Sequence, residues 1–97
     1  MRIAGKKKLV QFMERHPGSA SSLRSWVQVA ETSEWKAPTD IKQTFASTSF
    51  RSRNRVVFNI GGNRFRLLVV VIYVQRNAIV NWLGTHAEYD KINAESV

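Results

Sequence analysis

Apolar side chains in the first half of the chain recur every three or four residues, the spacing of one helix face. A stripe from Leu9 to His16 predicts a first helix, which Pro17-Gly18 ends. A second stripe predicts a helix capped by Ser19 or Ser21, and a third predicts a short helix capped by Thr39. The second stripe consists of Leu23, Trp26, Val27 and Ala30, and the third of Ile41 and Phe45.

The second half of the chain has the residue composition typical of β-strands. β-branched and aromatic residues predict strands over 56–60, 63–74 and 78–83. Gly61-Gly62 is a strong signal for a hairpin turn between the first two strands. The polar stretch 46–53, rich in Ser, Thr and Arg, predicts a loop.

The two ends of the chain complete an α+β pattern. Arg2–Ala4 predicts a short edge strand, and Thr85 predicts a cap for a short C-terminal helix. Helices followed by an antiparallel meander predict an α+β fold class, in which N-terminal helices pack on a small antiparallel β-sheet. The length suits one small domain, so we expect residues 1–97 to form a single domain.

Strand alternation sorts the side chains of the predicted hairpin onto two faces. With Gly61-Gly62 as a two-residue loop, Asn59 would pair with Arg64. Val57 would likewise pair with Arg66, and a four-residue loop would keep the same sorting of faces. We expect the apolar face to pack under the helices and the other face to present Arg and Asn. The apolar face carries Val56, Phe58, Ile60, Phe65, Leu67 and Val69, and the other carries Arg55, Val57, Asn59, Arg64, Arg66 and Leu68.

Positive charge is concentrated in the same region. The chain carries 15 Lys and Arg against 7 Asp and Glu, a net charge of +8. Residues 41–87 contain no carboxylate, so nothing within that segment neutralises its cations. Arginine suits bidentate contact with phosphate, and we expect this face to bind a polyanion such as nucleic acid. The alternative is a solvated surface that serves solubility. The cations are Lys42, Arg51, Arg53, Arg55, Arg64, Arg66 and Arg76.

Composition excludes several classes of protein. The absence of cysteine excludes a disulfide framework and a thiolate metal site, and fits a reducing compartment. The apolar run 67–74 is far shorter than the roughly 20 residues that span a bilayer. No signal-peptide pattern follows Lys6–Lys8. We therefore expect a cytoplasmic protein with no membrane partner.

Two motifs in the second half resemble those of a known family. The stretches Val57–Leu67 (VFNIGGNRFRL) and Thr85–Lys91 (THAEYDK) look like the HigB toxin family. This family is a branch of the RelE-like messenger-RNA interferases of bacterial toxin–antitoxin systems. The resemblance includes Trp35–Pro38 and the short helix after it, and so runs essentially from end to end of the chain.

The resemblance implies an endoribonuclease of the bacterial cytoplasm that cleaves messenger RNA on the translating ribosome. Cleavage would need no metal or other cofactor and would proceed by attack of a ribose 2′-OH on the adjacent phosphate. The implied partner is a HigA-like antitoxin with a helix-turn-helix domain. Operator DNA would be bound only through the toxin–antitoxin complex.

Such a reaction needs a base for the 2′-OH, cations for the developing negative charge and an acid for the leaving 5′ oxygen. Arg66 is the candidate for holding the scissile phosphate. His86, in the second motif, is the candidate acid or base, and Asp90 the group that orients it. Tyr89 could stack on a base or donate a proton. The candidate RNA-binding residues are Arg64, Arg55, Arg53, Asn59, Asn63 and Lys91.

Each of these residues also has a structural interpretation. Arg66 could be a solvent-exposed strand arginine, His86 a helix cap and Tyr89 a packing residue. His16 and the indoles of Trp26 and Trp35 are predicted to be structural. The pattern does not decide which face of the sheet Trp82 occupies, because its place in the alternation of the third strand is uncertain.

Two other classes of function also fit the sequence. One is a non-enzymatic basic module that binds RNA or the ribosome, and the other is a corepressor acting with its antitoxin. Substitution of His86 separates the enzyme from the binding module. For the implied antitoxin, the net charge favours an acidic, partly extended partner, which would cover the Arg face or block entry to the ribosome.

Overall fold

A computed structural model describes residues 1–97 as helices packed on a five-stranded sheet, which confirms the predicted α+β fold class. None of the helices has the length and apolar character needed to cross a membrane. Short 3-10 turns lie at Pro17–Ser19 and Tyr73–Gln75. In chain order the other elements are β1 (Arg2–Ala4), α1 (Lys6–Arg15), α2 (Ala20–Thr32), α3 (Pro38–Thr44), β2 (Ser49–Arg51), β3 (Arg55–Ile60), β4 (Phe65–Ile72), β5 (Asn77–Thr85) and α4 (His86–Tyr89).

The strands lie in the order β1-β5-β4-β3-β2. Strands β2 to β5 form an antiparallel meander, whereas β1 pairs parallel with β5 at one edge, as far as Ala4 opposite Ile79. The predicted N-terminal edge strand is thus confirmed. Because β1 has only three residues, β5 has no strand neighbour on that side beyond Ile79.

The opposite edge of the sheet corrects one expectation. The stretch 46–53, predicted as a loop, contains strand β2, which pairs with β3 at Phe50 opposite Val56. Its polar composition hid the strand, since an edge strand exposed to solvent needs few apolar side chains.

The helices pack on one face of the sheet over a core rich in aromatic rings. Phe58 of β3 lies at its centre, with ring centroids 5.3 Å from Trp26, 5.3 Å from Phe45 and 6.0 Å from Trp35. Trp26 and Trp35 are 1% and 2% exposed, which confirms that they are structural. His16, at the end of α1, packs against Phe12 with ring centroids 4.5 Å apart.

The β3–β4 hairpin has the predicted faces but not the predicted register. Asn59 pairs with Arg66 instead of Arg64, because the turn spans residues 61–64 rather than Gly61-Gly62 alone. Both glycines adopt positive φ angles, 61° and 68°, a conformation that favours glycine. The shift is two residues, so each strand side chain keeps its predicted face.

Two predicted caps differ in detail from the structure. Thr39 does not cap α3, which begins at Pro38. Instead, the Asp40 carboxylate accepts hydrogen bonds from the backbone N–H groups of Lys36 (2.8 Å) and Ala37 (3.2 Å). Ser19 precedes α2 as predicted, but its hydroxyl donates to the His16 carbonyl at 2.7 Å rather than capping the helix.

The second face of the sheet is only partly open to solvent. After α4 the chain crosses this face, and the Val97 carbonyl accepts hydrogen bonds from Arg55 Nε (2.8 Å) and Asn81 Nδ2 (2.7 Å). Val57 and Leu68, on the same face, are 2% and 0% exposed. The predicted Arg and Asn face is therefore partly covered by the chain's own C-terminal segment.

Candidate active site

Arg66 and His86 meet where β4 begins and β5 passes into α4. Arg66 Nη2 lies 2.8 Å from His86 Nδ1, and Nη1 donates to the carbonyls of Asn63 and Phe65, each at 3.1 Å. A guanidinium only donates hydrogen bonds, so Nδ1 of the ring must accept and carry no proton. Arg66 is 9% exposed, which excludes the alternative interpretation of this residue as a solvent-exposed strand arginine. The structure thus joins the two leading candidates in one preorganised pair.

The start of α4 fixes the position of His86. Thr85 caps the helix as predicted: its hydroxyl accepts from the Glu88 N–H at 3.1 Å, and Glu88 Oε1 accepts from the Thr85 N–H at 2.8 Å. The His86 backbone N–H also donates to the Arg64 carbonyl at 2.9 Å. The imidazole therefore extends from a backbone held at two points.

The capping box leads to a prediction on pH dependence. The pKa of Glu88 lies below its usual value, chiefly because the carboxylate accepts the Thr85 N–H, with smaller attractions to His16 and Arg15. Such a group stabilises the fold above its unfolded pKa, and this contribution is lost as the pH falls through the folded pKa. We expect Tm to fall more steeply between about pH 5 and pH 3 in the wild type than in Glu88→Gln, which cannot ionise.

Thermal unfolding monitored by circular dichroism, from pH 3 to pH 7, measures this difference. Glutamine still accepts the Thr85 N–H, so the two proteins keep the same hydrogen bond. Glu14→Gln removes an exposed carboxylate that is in no ion pair, and it controls for the loss of charge alone. Parallel curves for wild type and Glu88→Gln over the whole range would contradict the prediction.

The other residues of the second motif surround the pair more loosely. Asp90 Oδ2 lies 3.7 Å from His86 Nε2, one helical turn further on. The Tyr89 hydroxyl lies 3.4 Å from Nη2 of Arg51, which donates to it from β2. Arg51 lies outside both motifs, so its place among the other cations is the one sequence feature that marks it. The structure gathers no three His, Cys, Asp or Glu side chains in an arrangement that could hold a metal ion.

Arg64 lies apart from Arg66, contrary to the prediction that they share a face. Its guanidinium carbon is 5.0 Å from the centroid of the Phe65 ring, on the helical side of the sheet. It also packs against Gly18, where an added Cβ would come within 2.9 Å of Nη2. The reason is that Arg64 belongs to the hairpin turn, where strand alternation does not apply.

The remaining candidates are spread around the second face. Asn59 is half-buried beside Arg66 on the neighbouring strand, and Asn63 contributes its backbone carbonyl to Arg66. Arg55 is held by the Val97 carbonyl. Arg53 and Lys91 are exposed, and Arg53 lies in the β2–β3 turn with a φ of 58°.

Trp82 faces away from the core because β5 contains a bulge. The register changes from Val80 opposite Val69 to Trp82 opposite Leu68, so Asn81 is the extra residue. The indole lies over Gly84, where an added Cβ would come within 2.6 Å of ring atom Cζ2. Gly84 is the partner of Arg66 in the sheet, so the indole lies beside the Arg66–His86 pair. The sequence carries no clear signal for this arrangement, because the bulge at Asn81 decides which face of the sheet Trp82 occupies.

Comparison with known proteins agrees with the resemblance seen in the sequence. The model of the family HigB_toxin, described as the RelE-like toxic component of a toxin-antitoxin system, matches residues 19–92. The chain is 28% identical over 94 residues to the mRNA interferase HigB of Escherichia coli O6:H1, covering 95% of this chain and 91% of that protein. It is 27% identical over 96 residues to the mRNA interferase toxin HigB of Escherichia coli K12, covering 97% and 92%. The family match covers well over half of the chain, and this protein therefore belongs to the HigB toxin family, the RelE-like toxic components of toxin–antitoxin systems.

Proposed function

We propose that this toxin is an endoribonuclease that cleaves messenger RNA on the translating ribosome and so inhibits translation. The observation that carries the proposal is the 2.8 Å contact between the buried Arg66 guanidinium and His86 Nδ1. It joins a phosphate-binding cation to a group able to exchange a proton, the two elements that RNA cleavage needs. Both relatives described above carry the name mRNA interferase.

The proposed reaction uses the ribose 2′-OH as the nucleophile and no metal. The 2′ oxygen attacks the adjacent phosphorus as its proton passes to a base, and the 5′ oxygen leaves with a proton from an acid. The products are a 2′,3′-cyclic phosphate and a 5′-OH. Arg66 stabilises the negative charge that builds on the phosphate oxygens in the transition state.

We assign the base role to His86 and the acid role to Tyr89. In the free protein His86 has an unprotonated Nδ1, the form that can take a proton. When the scissile phosphate draws Arg66 Nη2 away, Nδ1 becomes free for the 2′-OH. Tyr89, three residues further along α4, then supplies the proton for the 5′ oxygen. Asp90 orients the ring through its 3.7 Å contact with Nε2.

In this proposal other cations bind the RNA backbone, and the antitoxin inhibits the toxin. Arg53, Arg55, Arg64 and Lys91 contact phosphates, with a steep dependence on salt concentration. Asn59 and Asn63 position the nucleotides at the cleavage site. The partner is an acidic HigA-like antitoxin with a helix-turn-helix domain, and operator DNA is bound through the complex.

Primer extension on a defined messenger RNA tests this function. Purified protein is incubated with the RNA with and without translating ribosomes, and EDTA is present in the ribosome-free arm. We expect cuts at codon-related positions only where ribosomes are present. Cuts on naked RNA would reject ribosome dependence but keep the ribonuclease. No cuts from folded protein in either arm would favour the binding module or the corepressor.

A further inference from the structure

A second groove lies outside the Arg66–His86 pair, between α1 and the C-terminal half of β5. It has a volume of about 180 Å³ and is partly open to solvent. Helix α1 contributes two cations and an amide to it, and β5 contributes an indole and an amide. These side chains are Lys8, Gln11, Arg15, Asn81 and Trp82, and the apolar Phe12 and Leu83 complete the lining.

The fold builds this groove from a helix face and an unpaired strand edge. Lys8, Gln11 and Arg15 are spaced three and four residues apart, so they lie on one side of α1. That side faces β5 beyond Ile79, where β1 no longer pairs with it. Lys8 Nζ donates to the Asn81 carbonyl at 3.1 Å, which ties the helix to the strand edge.

The groove continues into the candidate active site. At one end Arg15 is near enough to α4 to attract the Glu88 carboxylate. Along the strand, the Trp82 indole lies over Gly84, the partner of Arg66. A strand of RNA that leaves the Arg66–His86 pair along β5 would therefore pass Arg15 and Trp82 and then reach Lys8, which bonds the Asn81 carbonyl.

We propose that this groove binds the segment of single-stranded RNA next to the scissile phosphate, with Lys8 and Arg15 on backbone phosphates and Trp82 stacked on a base. The inference rests on the proposed function and adds to it a nucleotide subsite. Cations that follow a backbone, with an aromatic ring between them, form the usual combination for binding single-stranded nucleic acid. Lys8 and Arg15 are about 10 Å apart along α1, a span that suits a short stretch of extended RNA.

Tryptophan fluorescence offers a direct measurement of the stacking. Trp26 and Trp35 are 1% and 2% exposed, so a base can reach only the indole of Trp82. The probe is a ten-nucleotide RNA with every 2′-OH methylated, which cannot be cleaved because it lacks the nucleophile. We expect this RNA to quench the tryptophan fluorescence of the wild type and to leave the fluorescence of the Trp82→Phe variant unchanged. Trp82→Leu should bind about 5- to 150-fold more weakly, the range measured for the loss of one stacked base.

A matched pair of double variants tests whether the groove cations bind RNA phosphates. Lys8→Gln/Arg15→Gln removes the two groove charges, and Lys7→Gln/Arg24→Gln removes two exposed charges outside the groove. Each phosphate contact with a single strand adds about 0.7 to the slope of log affinity against log salt, so we expect the groove variant to lower that slope by about 1.4. The control should keep the full quenching of Trp82. Circular dichroism and Tm establish that both variants are folded.

Four outcomes separate the subsite from the proposed function. If the groove variant loses affinity for the oligonucleotide, the groove binds single-stranded RNA of the messenger type, as proposed. If the variant keeps its affinity for the oligonucleotide and loses only co-sedimentation with ribosomes, the groove binds ribosomal RNA instead, and the subsite for the cleaved RNA is overturned. Equal affinity of groove and control variants in both assays, without quenching of Trp82, would overturn the subsite, even if the wild type cleaves RNA. A wild type that binds through the groove but never cleaves messenger RNA would overturn the proposed function instead.

Discussion

His86→Ala is expected to lower the rate of RNA cleavage by about 10²- to 10⁴-fold, the usual contribution of a general base. The substitution removes the group whose unprotonated Nδ1 faces the Arg66 guanidinium. The fold should persist, because His86 is exposed and its backbone N–H still bonds the Arg64 carbonyl. Single-turnover primer extension on ribosomes measures the rate, and loss of growth arrest on expression is the cellular readout. In a pure RNA-binding module the same substitution should change little.

Arg66→Gln is expected to cost about 10²- to 10³-fold in the same assay, the typical loss for one group that stabilises transition-state charge. Arg76→Gln is the matched control, since it removes an exposed arginine in the turn before β5, at the far end of the strand from His86. Because Arg66 and His86 touch, the double variant should lose less than the product of the two single losses. Full activity in either single variant would contradict the assigned roles.

The sequence predicted the faces of the hairpin because strand alternation is a strictly local property. Val56 and Phe58 reach the core, and Arg66 reaches the other face, whatever the length of the turn, provided that it changes by an even number of residues. The register itself was wrong by two residues. It depends on how many residues the turn uses, and Gly61-Gly62 fits a two-residue and a four-residue turn equally well.

The sequence predicted the members of the candidate site better than their contacts. The two motifs contain Arg66 and His86, but their 2.8 Å contact also depends on the long-range pairing of β4 with β5. The facing of Trp82 depends on a bulge at Asn81, which has no clear sequence signal. The crossing of the second face by the last residues was missed for the same reason, since it rests on distant partners such as Arg55.

Phe58→Ala is expected to lower the free energy of unfolding by about 3–5 kcal/mol, the usual cost of deleting a buried aromatic ring. Phe58 is 1% exposed and lies within 5.3 to 6.0 Å, between ring centroids, of Trp26, Phe45 and Trp35. Its removal would leave a cavity between helices and sheet that these rigid rings can fill only in part. Since domains of this size are stable by only about 5–15 kcal/mol, the variant should be close to unfolding at 37 °C.

Urea denaturation followed by far-ultraviolet circular dichroism measures this loss. Val74→Ala is the control, because Val74 is 93% exposed and its truncation should change stability by less than about 0.5 kcal/mol. Phe58→Leu, which keeps most of the apolar volume, should fall between the two. A loss below about 1 kcal/mol in Phe58→Ala would mean that the cluster packs loosely, contrary to the usual density of protein cores. A loss of the expected size would mean that core packing supports the candidate site. The reason is that β3 carries Phe58 on one face and Asn59, beside Arg66, on the other.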